Sequence, residues 1–498
     1  MESKTSRFVV LLMAALSLNG CSGLVGAIQP QSGSGSVLAL TVRAIPLVPP
    51  PNTNILSFSV TLLGVSIVRS TGESINVPLN SSSYQADLAR LQSDSAFLGA
   101  SASVQAGTYS SLAVSLANPM VTYCAQTSET TGCATSSVTT VRGEPAVLVL
   151  TTAPFPLNVA ADHSTGMAVT LNIGAALSLN PATHVVTGIN FGAVNVLGAT
   201  LLPPSFSNLP PNAFDFIEDV TGIVTSVNTS AQTVTVQTAT GGSIAATAGP
   251  ATIVSPNCIA LNLGTTFTCA KQGQVASVDT TLNSDGTFSL LEYDPLATTP
   301  GDWIEGIIDL VPSSSSRFQL VVNNLVLAPS NSLIGGNLAL GSGVTVNLVN
   351  PKPFVIDTKG LDVPTTSFSG ATDSSILQPG QTVAVHVTTF MPASGTTPAV
   401  ASADSLYLRF TRVTGSVAGA APPNTFDMQS FPAFFGLTIP ATVQLSMNSP
   451  STSFDGVADA SGLVTEQPVS IRALYFGLPT SVTPTPTPFS AAKVRRIR

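Results

Sequence analysis

Short stretches in which apolar and polar residues alternate recur along the chain, separated by segments rich in Gly, Pro, Asn and Ser. Alternation with a period of two is typical of β-strands with one buried face. In the first part of the chain the predicted strands are Val37–Val42, Ile55–Leu62, Leu112–Leu116, Val147–Thr151 and Met167–Ile173. Repeated short strands at this spacing predict a two-sheet β-sandwich. The only helical candidate there is Asp87–Gln92, one or two turns long.

Three later segments share one outline, which begins with a glycine between apolar residues and continues through a polar turn into an alternating strand. Their glycines are Gly222, Gly306 and Gly415, which lie 84 and 109 residues apart. This spacing is too long for solenoid repeats and suits tandem small domains. A glycine at this place lets a strand coil sharply, as closing a small β-barrel requires.

Two of these segments also share a Gly-Gln turn into a strand, at 273–274 and at 380–381, whereas the third lacks that Gly-Gln. Their predicted closing strands are Phe288–Leu291, Ala403–Leu408 and Phe489–Val494. The third barrel then includes the end of the chain, with Pro484–Pro488 as a rigid loop. The alternative is a disordered tail from Thr483 onward.

Two parts of the chain resemble known, uncharacterised families. The run Tyr84–Leu88, then Leu91, then Ala106–Tyr109 resembles the DUF 4382 domains of bacterial envelope lipoproteins, whose hallmark is a similar run between strands. The chain departs from that family at Arg43–Pro46, where the family usually has Asp-Ala-Pro. The three later segments resemble the DUF 5666 family of small β-barrels. Neither resemblance implies a chemistry.

The predicted fold class is therefore all-β, an N-terminal β-sandwich followed by tandem small β-barrel domains. We place the sandwich at residues 36–206. The barrels follow at 214–297, 302–410 and 411–498, after a proline-rich boundary.

The N-terminal residues have the three parts of a secretory signal. Lys4 and Arg7 precede the apolar run Phe8–Leu18, which is too short to span a bilayer as a helix. The run ends in Leu18-Asn19-Gly20-Cys21, which resembles a bacterial lipobox. This resemblance implies a signal peptide over 1–20, lipidation (palmitate among the acyl chains) of Cys21 and a membrane anchor. The Gly/Ser composition that follows predicts a flexible tether over 21–35. The residue after the cysteine is Ser22 rather than Asp, which resembles lipoproteins that are sorted to the outer membrane. The alternative is an ordinary secreted protein.

The remaining four cysteines form two local pairs, Cys124 with Cys133 and Cys258 with Cys269. In an oxidising compartment, two short-range disulfides are the favoured of three connectivities. A zinc site is the rival interpretation. It lacks CxxC spacing, and the three histidines, His163, His184 and His386, lie in unrelated segments.

Charged residues are only 8% of the chain, and the formal net charge is −8. A basic patch of the kind that nucleic-acid binding requires is absent before the last six residues. Nucleotide-binding loops and the nucleophile elbow of hydrolases do not occur in a suitable context. We therefore expect no enzymatic activity, no catalytic residue, no cofactor, no metal and no nucleic-acid partner.

Several residues could still belong to sites, and each has a plainer interpretation. Ser490 and Lys493 match the S-x-x-K of serine acyl-enzymes, without its companion motifs. A calcium site is one interpretation of four acids near a domain junction, and solvated linker acids are the favoured one: Glu292, Asp294, Asp302 and Glu305.

Three further features are considered in the same way. Trp303, the single tryptophan, is predicted to lie in a core rather than to stack on a ligand. His386 is predicted at the surface, opposite the valines that flank it in sequence. Arg495, Arg496 and Arg498 could touch an anionic lipid, and a solvated chain end is the favoured interpretation.

From the sequence we expect a lipid-anchored protein of the cell envelope, on the outer membrane, that acts as a structural, scaffolding or binding protein with an envelope polymer or a protein as partner. The alternative is a carbohydrate-binding or weakly enzymatic envelope protein. That alternative requires an exposed row of aromatic side chains and a pair of carboxylates roughly 5–10 Å apart.

Overall fold

The computed structural model describes residues 37–47, 53–102, 104–125, 132–133, 138–203, 206–240, 242–255, 257–260, 267–312, 316–363, 368–395, 397–420, 424–437, 440–448, 450–477 and 488–497. Residues 32–498 form one compact unit. Nearly all of the described elements are strands, so the predicted all-β class is confirmed.

The N-terminal region forms a sandwich of a four-stranded and a seven-stranded sheet, with a small hairpin beside them. Its strands are β1 (Leu38–Ile45), β2 (Thr53–Arg69), β3 (Ser74–Val77), β4 (Tyr84–Asp87), β5 (Ala96–Ser101), β6 (Gly107–Ala125), β7 (Val138–Arg142), β8 (Ala146–Leu150), β9 (Leu157–Val159), β10 (Thr165–Asn172), β11 (Leu177–Asn180), β12 (Val185–Ile189) and β13 (Leu197–Leu202). A 3-10 turn lies at Arg90–Gln92, within the predicted helical segment, and the helix α1 (Ile173–Ala176) was not predicted.

The four-stranded sheet, in the order β13-β10-β1-β5, is covered on both faces. Leu38, Leu40 and Val42 point into the sandwich core, whereas Ala39 on the opposite face packs with the first barrel. Because both faces are covered, β1 is buried at nearly every position instead of alternating.

Each of the three later regions closes into a five-stranded barrel. Barrel 1 contains β14 (Ala213–Asn228), β15 (Thr233–Gln237), β16 (Ser243–Val254), helix α2 (Asn257–Ala260), a 3-10 turn (Phe267–Cys269), β17 (Val275–Asn283) and β18 (Phe288–Ala297). Barrel 2 contains β19 (Trp303–Leu310), β20 (Arg317–Val326), β21 (Gly343–Leu348), β22 (Val355–Ile356), a 3-10 turn (Ser374–Ile376), β23 (Thr382–Met391) and β24 (Ala399–Arg409). Barrel 3 contains β25 (Thr411–Ala420), β26 (Thr425–Gln429), a 3-10 turn (Ala433–Phe435), β27 (Ala441–Leu445), β28 (Ser453–Asp455), a 3-10 turn (Ala460–Gly462), β29 (Pro468–Tyr475) and β30 (Phe489–Arg496).

The three barrels have the same strand order. In each, the first long strand pairs with the second and the fourth, and the third pairs in parallel with the last. This closed five-stranded Greek-key arrangement is of the OB-fold type. The short strands β22 and β28 add to the last strand of barrels 2 and 3. The predicted closing strand of barrel 3 is confirmed as β30, and residues 484–487 of the predicted loop lie outside the described residues.

The glycines that begin the three repeats occupy equivalent places. An added Cβ at Gly222 or Gly306 would meet a carbonyl oxygen of the second strand, and at Gly415 it would lie 2.5 Å from the carbonyl oxygen of Gln429. The first two strands therefore approach so closely that only glycine fits, in agreement with the predicted coiling.

A mid-barrel turn with a buried glutamine occurs in all three barrels, although the third lacks the Gly-Gln sequence. Gln274, Gln381 and Gln467 are buried, and each side chain accepts a hydrogen bond from the backbone N–H three residues earlier. In barrel 3, Glu466 replaces the glycine before the glutamine and adopts its left-handed conformation, with φ of 65°. The sequence pattern did not predict this turn, because Glu-Gln stands there in place of Gly-Gln.

Candidate functional site

A buried group of charged residues lies where the sandwich and the three barrels meet. Its centre is Asp219, in a bulge of β14 with φ of 55°. A bulge turns a side chain out of the regular strand pattern, and here it directs the carboxylate away from the barrel 1 interior. Four cations surround this carboxylate, with nearest distances of 2.5 Å for Arg412, 3.1 Å for Arg472, 3.5 Å for Arg409 and 3.7 Å for Lys359.

These contacts keep Asp219 ionised although it is only 4% exposed. Burial alone would raise the pKa of its carboxyl group, but the nearby charges, above all Arg472 and Arg412, hold that pKa well below its usual range. One carboxylate thus joins barrel 1 to cations of barrels 2 and 3.

Two of the cations lie at the connection between barrels 2 and 3. Arg409 ends β24 and Arg412 belongs to β25, so a single residue, Phe410, separates the two strands. Arg472 of β29 lies over the Phe410 ring, with its guanidinium carbon 4.4 Å from the ring centroid. The short connection therefore fixes three guanidinium groups beside each other.

A second set of carboxyl groups surrounds Arg409. Asp357 Oδ2 contacts Nη1, Glu305 Oε2 lies 3.5 Å from Nε, and Asp294 Oδ2 lies 3.9 Å from Nη1. Burial, and next the charge of Asp357, raise the pKa of Asp294 well above its usual range. The pKa of Asp357 is lowered, because Lys359 and Arg409 outweigh the effect of burial. We infer that Asp294 carries the proton of this pair.

Among the described residues that meet here, carboxyl groups outnumber cations. Its eight carboxyl groups are those of Asp94, Glu218, Asp219, Asp279, Glu292, Asp294, Glu305 and Asp357, and its six cations are Arg90, Lys359, Arg409, Arg412, Arg472 and Lys493. Barrel 1 supplies five of these acids, and barrels 2 and 3 supply five of these cations. Two of these carboxyl groups, those of Glu292 and Asp294, have a pKa that burial raises well above its usual range. We call this set the ionic junction.

The sandwich joins the ionic junction through its 3-10 turn and the residues after it. Asp94 lies 2.6 Å from Arg412, and Arg90 lies 3.2 Å from Glu305. A neighbouring set of pairs adds to this contact, because Arg43 lies 2.6 Å from Asp215 and Arg495 donates to the carbonyls of residues 91, 92 and 94. All four domains are therefore connected by buried polar contacts.

Both predicted disulfide pairs are present, Cys124–Cys133 and Cys258–Cys269. The first does more than close a loop. The N–H of Cys133 donates to the Asp309 carbonyl of barrel 2, and the N–H of Gly132 donates to the Phe434 carbonyl of barrel 3. This disulfide therefore fixes the end of β6 against two barrels.

The prediction that the four acids near 292–305 are solvated was wrong. Glu292, Asp294, Asp302 and Glu305 are at most 3% exposed, because they lie on or next to the buried strands β18 and β19, whereas residues 298–300 between these strands are exposed. Three of them belong to the ionic junction. Asp302 instead accepts hydrogen bonds from Ala328, Ser332 and Ile334 and so holds a loop of barrel 2.

The predicted solvated chain end was also wrong for Arg495, which is 6% exposed and lies 2.9 Å from Asp455. Arg496 is exposed, and Arg498 lies outside the described residues. Lys493 lies 2.8 Å from Glu218, and both it and Ser490 belong to β30 rather than to a helix.

The aromatic and histidine predictions can be compared directly with the fold. Trp303 is 3% exposed in an apolar cluster, which confirms its predicted core position. His386 is half-buried, with Nδ1 2.7 Å from Asp404. Among the described residues, no group of three or more His, Cys, Asp or Glu side chains has an arrangement that could hold a metal ion.

The predicted signal peptide, Cys21 and the tether lie outside the described residues. In the described part of the chain, no helix is both long enough and apolar enough to cross a bilayer. No family model, curated protein or solved structure matches the chain.

Proposed function

We propose that the protein is a non-enzymatic scaffold of the bacterial cell envelope, anchored through lipid on Cys21, whose four β domains act as one rigid body. The observation that carries this proposal is the ionic junction. Acidic and basic side chains of this kind also serve in catalytic sites, whereas here they pair with one another across domain boundaries.

The charge distribution supports a structural role for these residues. A buried charge without a counter-charge costs several kcal/mol. In a sparsely charged chain, charged residues are therefore retained inside only where each finds a counter-charge. Asp219, Arg409 and Arg472 meet this condition with groups from different domains. Such contacts fix the relative orientation of the domains, as a spacer or a platform for a partner requires.

The envelope location rests on the sequence. The lipobox-like Leu18–Cys21 and the two disulfides are typical of exported proteins, and the low content of charged residues fits a β-rich extracytoplasmic chain. The outer membrane remains the location that we propose, with an envelope polymer or a protein as the partner.

The carbohydrate-binding alternative gains no support from the described surface. None of the described Phe, Tyr or Trp side chains is classed as exposed, and the single tryptophan lies in a core. Sugar sites use accessible aromatic platforms together with paired carboxylates.

The proposal is tested by expressing the wild type, Cys21→Ala and Ser34→Ala with a clickable fatty acid and fractionating the envelope. Wild type and Ser34→Ala should carry the label in the outer membrane, and Cys21→Ala should lose it. Unlabelled wild type in the medium would overturn the anchor and leave a secreted protein.

A further inference from the structure

Strand β8 (Ala146–Leu150) is an edge strand of the seven-stranded sheet. On one side it pairs with residues 112–116 of β6. On its other side, no strand pairs with it and no hydrogen bond reaches its backbone within the described part of the chain. An open edge of this kind presents a row of N–H and C=O groups with which a further strand can pair.

The face of β8 that points away from the sandwich core is apolar and accessible. Val147 is 68% exposed and Val149 is 61% exposed, whereas the two leucines of β8 lie in the core. Barrel 2 covers the other end of this outer sheet face, where the Thr122 hydroxyl donates to the Gly341 carbonyl. The rows of the face that run from β8 across β6 to β2 contain only uncharged residues: Leu63, Gly64, Ser66, Ala113, Ser115, Val147 and Val149.

The usual protection of an edge strand is missing from β8. Proteins protect such strands against further pairing by charged side chains, prolines, bulges or short length. The neighbours of β8 along β6 have these features, since β7 carries the exposed Arg142 and β9 has three residues and follows Pro156. β8 has no charged residue, no proline and no bulge in its pairing with β6. It is therefore the strand of this edge that is best suited to pair with another chain.

The sequence of β8 is complementary to itself in an antiparallel pair. A twofold axis at Leu148 places Val147 of one copy opposite Val149 of the other, and the reverse pair forms by symmetry. Each such pair of β-branched side chains contributes about 0.2–1 kcal/mol. In the same register Glu144 lies opposite Thr152 of the second copy, so like charges do not face each other. A second copy of this chain therefore matches the open edge.

We propose that the protein forms a twofold dimer in which the β8 strands of two copies pair antiparallel and join their seven-stranded sheets edge to edge. A single pair of strands is an interface at the low end of the size range, so the dimer is weak, with a Kd on the order of 10 µM or weaker. This inference goes beyond the scaffold role and does not depend on a lipid anchor.

The test uses residues 22–498, which contain the whole compact unit of residues 32–498. They leave out the apolar run Phe8–Leu18, which could associate by itself. Sedimentation velocity measures the monomer–dimer equilibrium over a range of protein concentrations. Val149→Lys places an ammonium group on the edge strand, and Val464→Lys is the matched control, because Val464 is 60% exposed and lies in barrel 3.

The wild type and Val464→Lys should dimerise with the same Kd. Val149→Lys should raise the Kd at least about tenfold, because each dimer would bring two lysines to the paired edge. A wild type that stays monomeric up to about 300 µM would overturn the proposal and leave the edge to a strand of another protein. Equal association of the two variants would overturn it as well.

Cross-linking tests the pairing of the strands. The four cysteines of residues 22–498 are paired in the two disulfides, so Val147→Cys and Val149→Cys each add one free thiol. Residues directly opposite each other in an antiparallel pair have Cα atoms about 4.5–5.5 Å apart, which a disulfide can bridge. A mixture of the two variants should therefore form cross-linked dimers on mild oxidation, and far more than either variant alone. No cross-link in the mixture, or the same yield in all three samples, would contradict the twofold pairing.

Discussion

The barrel interiors and the ionic junction are buried to a similar degree and are opposite in chemistry. In barrel 2, Phe318 and Val346 of the interior are 0% exposed, and so is Arg409 at its outer face. The interior is filled by apolar side chains from one face of each strand. The junction is filled by polar side chains from the other face, which meets neighbouring domains instead of water.

This difference shows that a polar position in an alternating strand need not be a solvated one. An apolar interface is stabilised in proportion to the area that it buries, and it tolerates sliding of one domain along the other. An ion pair, in contrast, has a defined partner and geometry. We infer that the barrels are stabilised from inside by apolar packing and oriented from outside by charge.

The largest effect is expected when the central carboxylate is removed. Asp219→Asn leaves four cations without their shared partner, and breaking a buried pair of this kind costs about 3–5 kcal/mol of unfolding free energy. Because the folded-state pKa of Asp219 is depressed, its contribution is present above the unfolded pKa and is lost as the pH falls through the folded pKa. Urea unfolding at pH 7 measures the loss. The control is Asp285→Asn, at an exposed turn of barrel 1, which should stay within about 0.5 kcal/mol of the wild type.

A lone buried carboxyl group should behave in the opposite way. Burial raises the pKa of Asp309 to about 7, and its Oδ1 has no hydrogen-bond partner among the described residues. The cost of ionising it is absent below about pH 4, grows as the pH rises to about 7 and is constant above. Asp309→Asn should therefore stabilise the protein at pH 8, by up to about 4 kcal/mol, and have little effect at pH 4. Equal effects at both pH values would contradict this account.

Packing at the repeat glycines gives an effect of intermediate size. Gly415→Ala places a methyl group against the carbonyl of Gln429 and should cost about 1–3 kcal/mol, as overpacking usually does. Gly64→Ala on β2 has no atom within 4 Å of the new Cβ and serves as the control. Thermal unfolding of both variants decides whether the close approach, rather than glycine itself, is the cause.

The smallest effect is expected at Asp294, although it lies in the same junction as Asp219. Burial and the charge of Asp357 raise the pKa of Asp294 well above its usual range, which favours the neutral acid, and Asn has nearly the same shape as that form. Its Oδ1 would still accept from Asn257, which now donates over 2.8 Å. Asp294→Asn should change the unfolding free energy at pH 7 by less than about 1 kcal/mol. A loss as large as that of Asp219→Asn would show that Asp294 is ionised.

Much of the fold could be predicted, because strand alternation and the three equivalent glycines are local signals. The disulfides could also be predicted from short spacing. The ionic junction could not, since Asp94, Asp219 and Arg472 are far apart in sequence and look like ordinary polar positions of a loop and of strands. A signal did exist. Arg472 is the single cation of the apolar strand β29, in a chain that has few charges.

The claim that the ionic junction couples the four domains is tested most directly by differential scanning calorimetry of the wild type and Asp219→Asn. We predict one cooperative transition for the wild type, since no domain can leave the junction without exposing unpaired buried charges. In Asp219→Asn the transition should move to lower temperature and divide into at least two. Separate domain transitions in the wild type, or an unchanged single transition in the variant, would contradict the account.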